Sequence, residues 1–499
     1  MVFASYEFIF LFLPVVLAGY VVAARAGFTW ILGWLVAASL FFYAWWNPAY
    51  LPLLIGSILF NFVIGHLIDR YRGPRRRLAF GLLVAGIAGN LGLLAYYKYA
   101  GFFLSSVAAA TGTHWSTTDI VLPVGISFFT FQQIAYLVDT WRAQARETSL
   151  LRYSLFVTFF PQLIAGPIVH HREMLPQFRQ REGPLLRQDD LALGLAFFAA
   201  GLFKKTIIAD SLAVPANAAF AAAEAGETLH FFLAWQGTLA YTFQIYFDFS
   251  GYSDMAVGLA RMFGIRLPFN FDSPYKAASI IDFWRRWHMT LSRFLRDYLY
   301  IPLGGNRRGA ARRHANILIT MLLGGLWHGA GWTFLAWGAL HGAYLVVNHL
   351  WRALRPRPAG RWWSRALGRG LTFLAVAVAW VFFRAETFDG AFAILQGMVN
   401  LPHTLPRHLG PLAPWLSAMG FRFEGPYVSH DDLVLVAWLA LFLVTVLALP
   451  NTQQWLEGRP RARPRAWSHG VAWAACSGVL LGLGILGLSR VNEFLYFRF

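Results

Sequence analysis

The sequence is poor in charged residues and in cysteine. Only 13% of its 499 residues are charged, whereas 57% are hydrophobic and 17% are aromatic. No soluble domain could bury so many long apolar runs, so the composition predicts a polytopic membrane protein. The single cysteine, Cys476, lies in the last apolar run. It excludes an intrachain disulfide and argues against catalysis by a thiol.

Acidic residues are also scarce, and the formal net charge is +18. The basic residues lie in short loops between apolar runs, which is typical of cytoplasmic membrane loops rather than of a nucleic-acid-binding surface. We therefore expect contact with membrane lipids and no nucleic-acid partner. The first run follows Glu7 instead of a basic segment, which favours a retained helix over a cleaved signal peptide.

The apolar runs are long enough to cross a membrane, and neither a soluble domain nor a repeat of 20–50 residues interrupts them. The pattern predicts one all-α integral-membrane domain over 1–499, with about 11–12 crossings. The predicted runs are 3–24, 28–47, 50–68, 78–97, 119–138, 190–209, 230–249, 315–330, 332–351, 371–385, 433–449 and 470–489.

The distribution of arginine predicts the orientation of the chain. Five arginines between Arg70 and Arg77 indicate a cytoplasmic loop. Counting crossings back from that loop places the N-terminus outside. Counting forward from the basic run Arg459–Arg465 places the C-terminal tail, 490–499, outside as well.

Two segments do not fit simple crossings. Tyr153–Val169 has basic loops on both sides and is interrupted by prolines, which favours a re-entrant element beside an internal cavity. Ile280–Arg313 holds eight arginines and two aspartates among aromatic and aliphatic residues at helical spacing. This pattern predicts an amphipathic helix at the cytoplasmic face. It could bind acidic lipid headgroups, or it could attract a polyanionic donor such as a coenzyme A thioester.

Two histidines are candidates for acid–base chemistry. His328 lies within the apolar stretch Ile317–Trp337, where an ionisable group is costly unless it faces a cavity or another helix. His288 lies on the predicted interfacial helix, and the two could line one passage. The alternative for both is a histidine hydrogen-bonded between helices. Because no two histidines stand four residues apart, we predict no metal site.

Asp248 and Asp254 are further charges expected within the membrane, and such carboxylates need partners. We expect arginines of the interfacial helix to be these partners, in a structural role rather than in a proton relay.

The tail Phe494–Phe499 is rich in aromatic residues. It could anchor at the membrane interface. Alternatively, it could insert into an outward-facing funnel and bring the Tyr496 hydroxyl close to the reacting groups.

Five sequence blocks stand out in the chain: Phe160–Ile168, Tyr246–Asp254, Asp282–Ser292, Arg296–Asn306 and Gly324–Gly329. These blocks resemble the membrane-bound O-acyltransferases, specifically their bacterial alginate O-acetyltransferase branch. The resemblance is strongest over 120–345. The sequence Pro268–Phe271 departs from relatives that carry an acid there, which puts one local contact in doubt.

The resemblance implies a ring of membrane helices around a narrow central passage. It implies that His328 is the essential catalytic residue, that His288 is a second functional residue, and that Tyr496 is a candidate acyl carrier. The donor would be cytoplasmic acetyl-CoA, with no tightly bound cofactor. The expected substrate-binding residues are Arg285, Arg286, Arg293, Arg296, Asn306 and Trp327.

The resemblance further implies a protein of the bacterial inner membrane that serves O-acetylation of an extracytoplasmic polysaccharide, with an alginate-like exopolysaccharide favoured. A periplasmic acetyltransferase resembling SGNH hydrolases would be the partner. Acyl transfer of another kind, such as D-alanylation of a cell-wall polymer, is an alternative. A transporter or flippase is a second alternative, but it predicts inverted repeats with matching broken helices, and the sequence shows none. A non-catalytic export scaffold is a third.

Overall fold

The computed structural model describes residues 1–113, 120–179, 187–354, 362–400, 430–457 and 470–490, and Leu495. These residues form helices and no β-strand. The α-helices are α1 Leu13–Ala26, α2 Phe28–Ala44, α3 Leu51–Tyr71, α4 Arg76–Leu94, α5 Ala100–Thr111, α6 Ile126–Trp141, α7 Leu150–Thr158, α8 Phe160–Leu163, α9 His171–Met174, α10 Gln188–Phe203, α11 Asp210–Glu224, α12 Phe231–Met262, α13 Ile280–Trp284, α14 Met289–Leu295, α15 Gly309–His328, α16 Trp332–Leu354, α17 Trp362–Arg384, α18 Phe388–Val399, α19 His430–Ala448, α20 Thr452–Leu456 and α21 Val471–Leu486.

The all-α membrane fold predicted from the sequence is confirmed, and each predicted apolar run overlaps a helix. Within the described residues, six continuous helical segments are long and apolar enough to cross a membrane, and three more apolar helices are shorter. Among the helices of ten or more residues, α5, α11 and α18 lie outside the predicted runs. The six long segments are Glu7–Ala26, Pro48–Tyr71, Arg76–Thr111, Gln188–Glu224, Trp362–Arg384 and Val471–Ser489.

Helix α12 is the central helix, with most of its 32 residues buried. It packs along α10, and glycines allow the two backbones to approach closely. A Cβ atom on Gly201 would lie 2.5 Å from the carbonyl oxygen of Gly251, and one on Gly194 would lie 2.6 Å from that of Gly258. Small residues at a helix crossing permit such contact, and they bring the lysines that follow α10 against the acidic face of α12.

The segment 153–169 is interrupted, as its prolines predict. Helix α7 ends at Thr158, Phe159 adopts a non-helical backbone, and α8 lasts for one turn. The side chains from Phe156 to Val169 are buried, so this irregular backbone lies inside the protein.

The prediction of one amphipathic helix over 280–313 is wrong. The segment forms α13, α14 with a following π-helical turn, and the start of α15. His288 separates α13 from α14 with a left-handed backbone, φ 42° and ψ 54°. A turn with positive φ at Gly304, Gly305 and Gly309 then separates the π-helical turn from α15.

The apolar stretch 317–337 is a helical hairpin, and its two helices overlap the separately predicted runs 315–330 and 332–351. Helix α15 ends at His328, the residues 329–331 form a short connection, and α16 begins at Trp332. Gly325 and Gly338 lie where the two helices cross, and a side chain on either would collide with the backbone of the partner helix. The hairpin therefore places His328 at the end of a helix rather than within one.

Candidate active site

His328 is the last residue of α15 and is 4% exposed. Its ring meets the edges of three aromatic rings, with centroid separations of 4.9 Å to Trp327, 5.1 Å to Trp337 and 5.2 Å to Phe383. On its remaining side it lines an open cavity of about 340 Å³, called the His328 cavity below. The other lining residues are Trp46, Lys98, Val121–Phe128, Ile164, Ala165 and Trp327.

His288 reaches the same place from a different element. Its ring is fully buried and lies 6.4 Å from the His328 ring, centroid to centroid. Phe249 of α12 packs edge-on against it at 4.8 Å. The structure thus brings together the two histidines that the sequence singles out.

Asn270 fixes the segment that carries His288, and the sequence analysis did not identify it. Its carbonyl oxygen accepts the Met289 N–H at 2.9 Å. Its side-chain oxygen lies 2.6 Å from the Thr290 hydroxyl, which donates to it, and 3.3 Å from Nδ1 of His288. A left-handed conformation of a residue other than glycine costs about 1–3 kcal/mol, and these contacts stabilise it at His288. The only sequence signal was an asparagine between apolar residues.

Three of the predicted donor-binding arginines line a second cavity. This arginine groove, about 590 Å³ in volume, is lined by Arg285, Arg293 and Arg296 together with residues of α13 to α16. Arg285 and Arg296 are exposed. Arg293 forms a bidentate ion pair with Glu173 at 2.6 and 2.8 Å.

The other two predicted binding residues of this region lie outside the groove. Arg286 donates to the Asp282 carboxylate at 3.0 Å and to the Asp272 carbonyl at 3.2 Å. Asn306 is exposed in the turn before α15. Trp327, the remaining predicted binding residue, lines the His328 cavity and stacks on Phe131 at 5.2 Å.

The His328 cavity lies at the C-terminal end of α15, and the arginine groove is lined by residues near the middle of this helix. Met321 lines the groove, and His328 lies roughly 10 Å further along the same helix. Aromatic rings fill the space between them, because Trp337 lies 5.8 Å from Trp284 of the groove and 5.1 Å from His328. The continuous passage implied by the resemblance stays a prediction.

The expected partners of Asp248 and Asp254 are wrong: lysines pair with them, and not arginines of the interfacial segment. The Lys205 ammonium lies 3.0 Å from Asp248 and 2.7 Å from Asp210, and Lys204 lies 2.6 Å from Asp254. Both lysines belong to the π-helical turn Lys204–Ala209, which follows α10. The signal in the sequence was a pair of lysines inside an apolar run.

The C-terminal tail returns to this buried ion-pair cluster. Leu495 is 6% exposed, and its backbone N–H donates to the second carboxylate oxygen of Asp248 at 3.0 Å. The tail therefore contacts the protein interior at that residue. Tyr496 lies outside the described residues.

A cavity of about 410 Å³, lined by Asp139, His170, Arg293 and Tyr298 among others, lies beside the arginine groove. The Tyr298 hydroxyl donates to Asp139 at 2.6 Å. Burial and the negative charge of Asp139 raise the pKa of Tyr298. Burial and the positive charge of Arg293 lower the pKa of His170. The sequence suggests that His170 and His171 lie in a solvated loop, but His171 is only 5% exposed.

Two buried histidines with ring centroids 6.4 Å apart, one of them lining an open cavity, lie inside a helical bundle with membrane-length apolar segments, as in an integral-membrane enzyme. Residues 142–384 match the MBOAT, or membrane-bound O-acyltransferase, family. The chain is 40% identical to a peptidoglycan O-acetyltransferase of Helicobacter pylori, over 99% of this chain and 96% of that relative. It is 44% identical to a probable alginate O-acetylase of Azotobacter vinelandii, over 80% of this chain and 78% of the relative.

A teichoic acid D-alanyltransferase of Streptococcus thermophilus is 29% identical over 54% of this chain and 69% of its own length. The chain belongs to the membrane-bound O-acyltransferase family and is a membrane acyltransferase.

Proposed function

We propose that this protein takes acetyl groups from cytoplasmic acetyl-CoA and delivers them across the membrane for O-acetylation of an extracytoplasmic polysaccharide. The observation that carries the proposal is the convergence of His328 and His288, 6.4 Å apart, with His328 lining an open cavity. The family membership of the chain supports acyl transfer as the reaction that these histidines would serve.

The arginine groove is the proposed entry for the donor. Coenzyme A carries several phosphate charges, and guanidinium groups bind phosphate through paired hydrogen bonds. The exposed Arg285 and Arg296 line the groove, and the arginine-rich turn before α15 indicates that this end faces the cytoplasm. The His328 cavity would then face the opposite compartment.

In the proposed chemical step, the His328 imidazole removes the proton from the accepting hydroxyl, that of Tyr496. The resulting oxygen attacks the thioester carbonyl, a C–O bond forms, and the C–S bond breaks. The coenzyme A thiolate takes the proton back from the imidazolium and leaves as the free thiol. His288 orients the carbonyl or passes the proton. General acid–base catalysis of this kind contributes about 10²–10⁴-fold to a rate.

The position of Leu495 supports a role for the tail in this step. Leu495 is bound to Asp248, and the next residue of α12, Phe249, packs against His288. At Leu495 the tail therefore contacts the part of α12 whose next residue packs against His288. A partner transferase outside the membrane, of the SGNH-hydrolase type, would then receive the acetyl group and pass it to the polymer.

Two acceptors are candidates. An alginate-like exopolysaccharide follows from the motif blocks and from the relatives that match 80% of the chain. Peptidoglycan follows from the relative that matches 99% of it. Base-labile acetate is measured separately on the secreted polymer and on the purified cell wall of a bacterium that expresses the protein. The polymer that carries the acetate identifies the acceptor.

Replacing His328 with Ala tests the proposal. We expect the variant to lose nearly all ester-linked acetate on the polymer, because the general base is removed. Ester acetate is measured at equal amounts of protein in the membrane. His314→Ala is the matched control, since it removes a histidine near the start of the same helix, far from the cavity. An His328→Ala variant with wild-type acetylation overturns the proposal.

The role of Tyr496 needs its own test. Peptides from the tail, analysed by mass spectrometry after incubation of membranes with acetyl-CoA, should carry one acetyl group on Tyr496. Tyr496→Phe should abolish both this label and polymer acetylation. An active Tyr496→Phe variant removes the tyrosine from the mechanism and leaves the rest of the proposal standing.

A further inference from the structure

Lys98 makes an unusual contact with the end of the helix that carries His328. It lies in the π-helical turn Ala95–Tyr99, which joins α4 to α5. Its ammonium group donates to the carbonyl oxygen of Trp327 at 2.5 Å and to that of His328 at 3.2 Å. The neighbouring hydroxyl of Tyr99 donates to the carbonyl oxygen of Leu326 at 3.0 Å.

The carbonyls of the last turn of an α-helix have no partner within the helix. In α15 the Gly329 N–H donates to the carbonyl oxygen of Gly325. The carbonyl oxygens of Leu326, Trp327 and His328 need donors from outside the helix. Gly329 is extended, with φ −156° and ψ 146°, so the helix does not end in the usual left-handed glycine cap. Lys98 and Tyr99 supply the missing donors from another helix.

The charge of Lys98 suits this position. A cation at the C-terminus of a helix interacts favourably with the helix dipole, and hydrogen bonds from a charged donor are roughly twice as strong as neutral ones. The two carbonyls use two of the three ammonium protons. Lys98 also lines the His328 cavity beside His328 itself. One side chain therefore contacts both the backbone of His328 and the space in which the chemistry would occur.

We propose that Lys98 is a positioning residue for acyl transfer: its ammonium group caps α15 and thereby holds the His328 imidazole in its reactive orientation. The inference rests on the proposed function of His328. It explains why a lysine occupies a helix that is otherwise long and apolar enough to cross a membrane. It also explains the π-helical turn, since the extra residue of such a turn redirects side chains, and such turns are frequent at functional sites.

The test compares Lys98→Met with Lys98→Arg in inside-out membrane vesicles that retain the native partners. Initial rates of acetate transfer from radiolabelled acetyl-CoA are divided by the amount of folded protein. We expect Lys98→Met to lower kcat by roughly 10²-fold, the effect typical of a misplaced catalytic group, with KM for acetyl-CoA unchanged. Lys98→Arg, which keeps a charged donor, should retain most of the rate.

Two controls separate positioning from folding. Tyr99→Phe removes the adjacent hydrogen bond to Leu326 but leaves the His328 carbonyl bound, so its kcat should fall much less than that of Lys98→Met. If Lys98→Met does not accumulate, Lys98→Arg is compared with Lys98→Gln, and the inference requires a clearly higher rate for arginine.

The outcomes distinguish this inference from the proposed function. A Lys98→Met variant with wild-type kcat, measured beside an inactive His328→Ala variant, overturns the role of Lys98 alone. Equal rates for Lys98→Arg and Lys98→Gln would likewise overturn the role of Lys98 alone. An active His328→Ala variant instead overturns the proposed function, and the role of Lys98 with it.

Discussion

Lys205 occupies an exceptional position because one ammonium group serves two buried carboxylates. It lies between Asp210 and Asp248, and all three side chains are almost completely buried. Removing one partner of a buried ion pair costs about 3–5 kcal/mol, since the other charge stays buried without compensation. Loss of the lysine leaves two such charges, whereas neutralising Asp248 leaves the pair of Lys205 and Asp210 intact.

We therefore expect Lys205→Met to destabilise the protein more than Asp248→Asn does. The measurement is the midpoint of thermal unfolding in detergent, followed for each purified variant. Arg187→Gln serves as a control for charge loss, because its ion pair with Asp189 is exposed and contributes about 0–1 kcal/mol. If the Asp248→Asn variant is as unstable as Lys205→Met, the idea that one lysine compensates two buried carboxylates is contradicted.

At this scale the sequence identified the groups that need partners but not the partners themselves. Asp248, Asp254 and His328 are recognisable because polar groups expected within the membrane demand an explanation, and His288 is recognisable as the histidine of the predicted interfacial helix. Their neighbours come from segments far away in the chain: Lys205 stands 43 residues before Asp248 in the numbering. Local patterns do not reveal which distant side chain fills that role. Asn270, whose interactions depend on the folded position of His288, could not be predicted for the same reason.

The helices themselves were more predictable than their interruptions. Apolar runs specify helices because a membrane leaves no other partner for the backbone. The interruption at His288 has no such local cause. Its left-handed backbone exists because Asn270 and the packing of α12 stabilise it, and these are tertiary contacts. The break divides the arginine-rich segment, so that Arg285 and Arg293 line one groove while Arg286 points elsewhere.

This division leads to a prediction for donor binding. Arg285→Gln and Arg296→Gln should each raise KM for acetyl-CoA several-fold, since a charge-assisted hydrogen bond is worth about 1.5–3 kcal/mol, less where solvent screens it. The effect should weaken at high salt. Initial rates at varied acetyl-CoA concentration provide the measurement.

Arg307→Gln is the matched control for the groove arginines. It removes the same charge from the exposed turn before α15, outside the groove, and should leave KM near the wild-type value. Equal increases in KM for Arg307 and Arg285 would show that general surface charge, and not the groove, attracts the donor.

Across the whole molecule, the proposed functional groups lie at different levels along α15. The basic turn lies where α15 begins, the arginine groove is lined by residues near the middle of the helix, and the His328 cavity lies where it ends. The helix has 20 residues and a length of roughly 30 Å, comparable to the apolar thickness of a membrane. Under the proposed function, we therefore expect the donor and the acceptor to approach this hairpin from opposite sides.

The lone cysteine permits a direct test of this orientation. Cys476 is exposed, and Cys476→Ser gives a chain without cysteine into which single reporters can be introduced. Position 121 is 54% exposed at the His328 cavity, and Arg307 is exposed beside α15. Because arginine-rich loops stay in the cytoplasm, a membrane-impermeant maleimide should label Val121→Cys in intact cells and Arg307→Cys only after permeabilisation. Inside-out vesicles should reverse the pattern. Labelling of both positions from one side would place the His328 cavity and the turn before α15 in the same compartment, and this would contradict transfer across the membrane along α15.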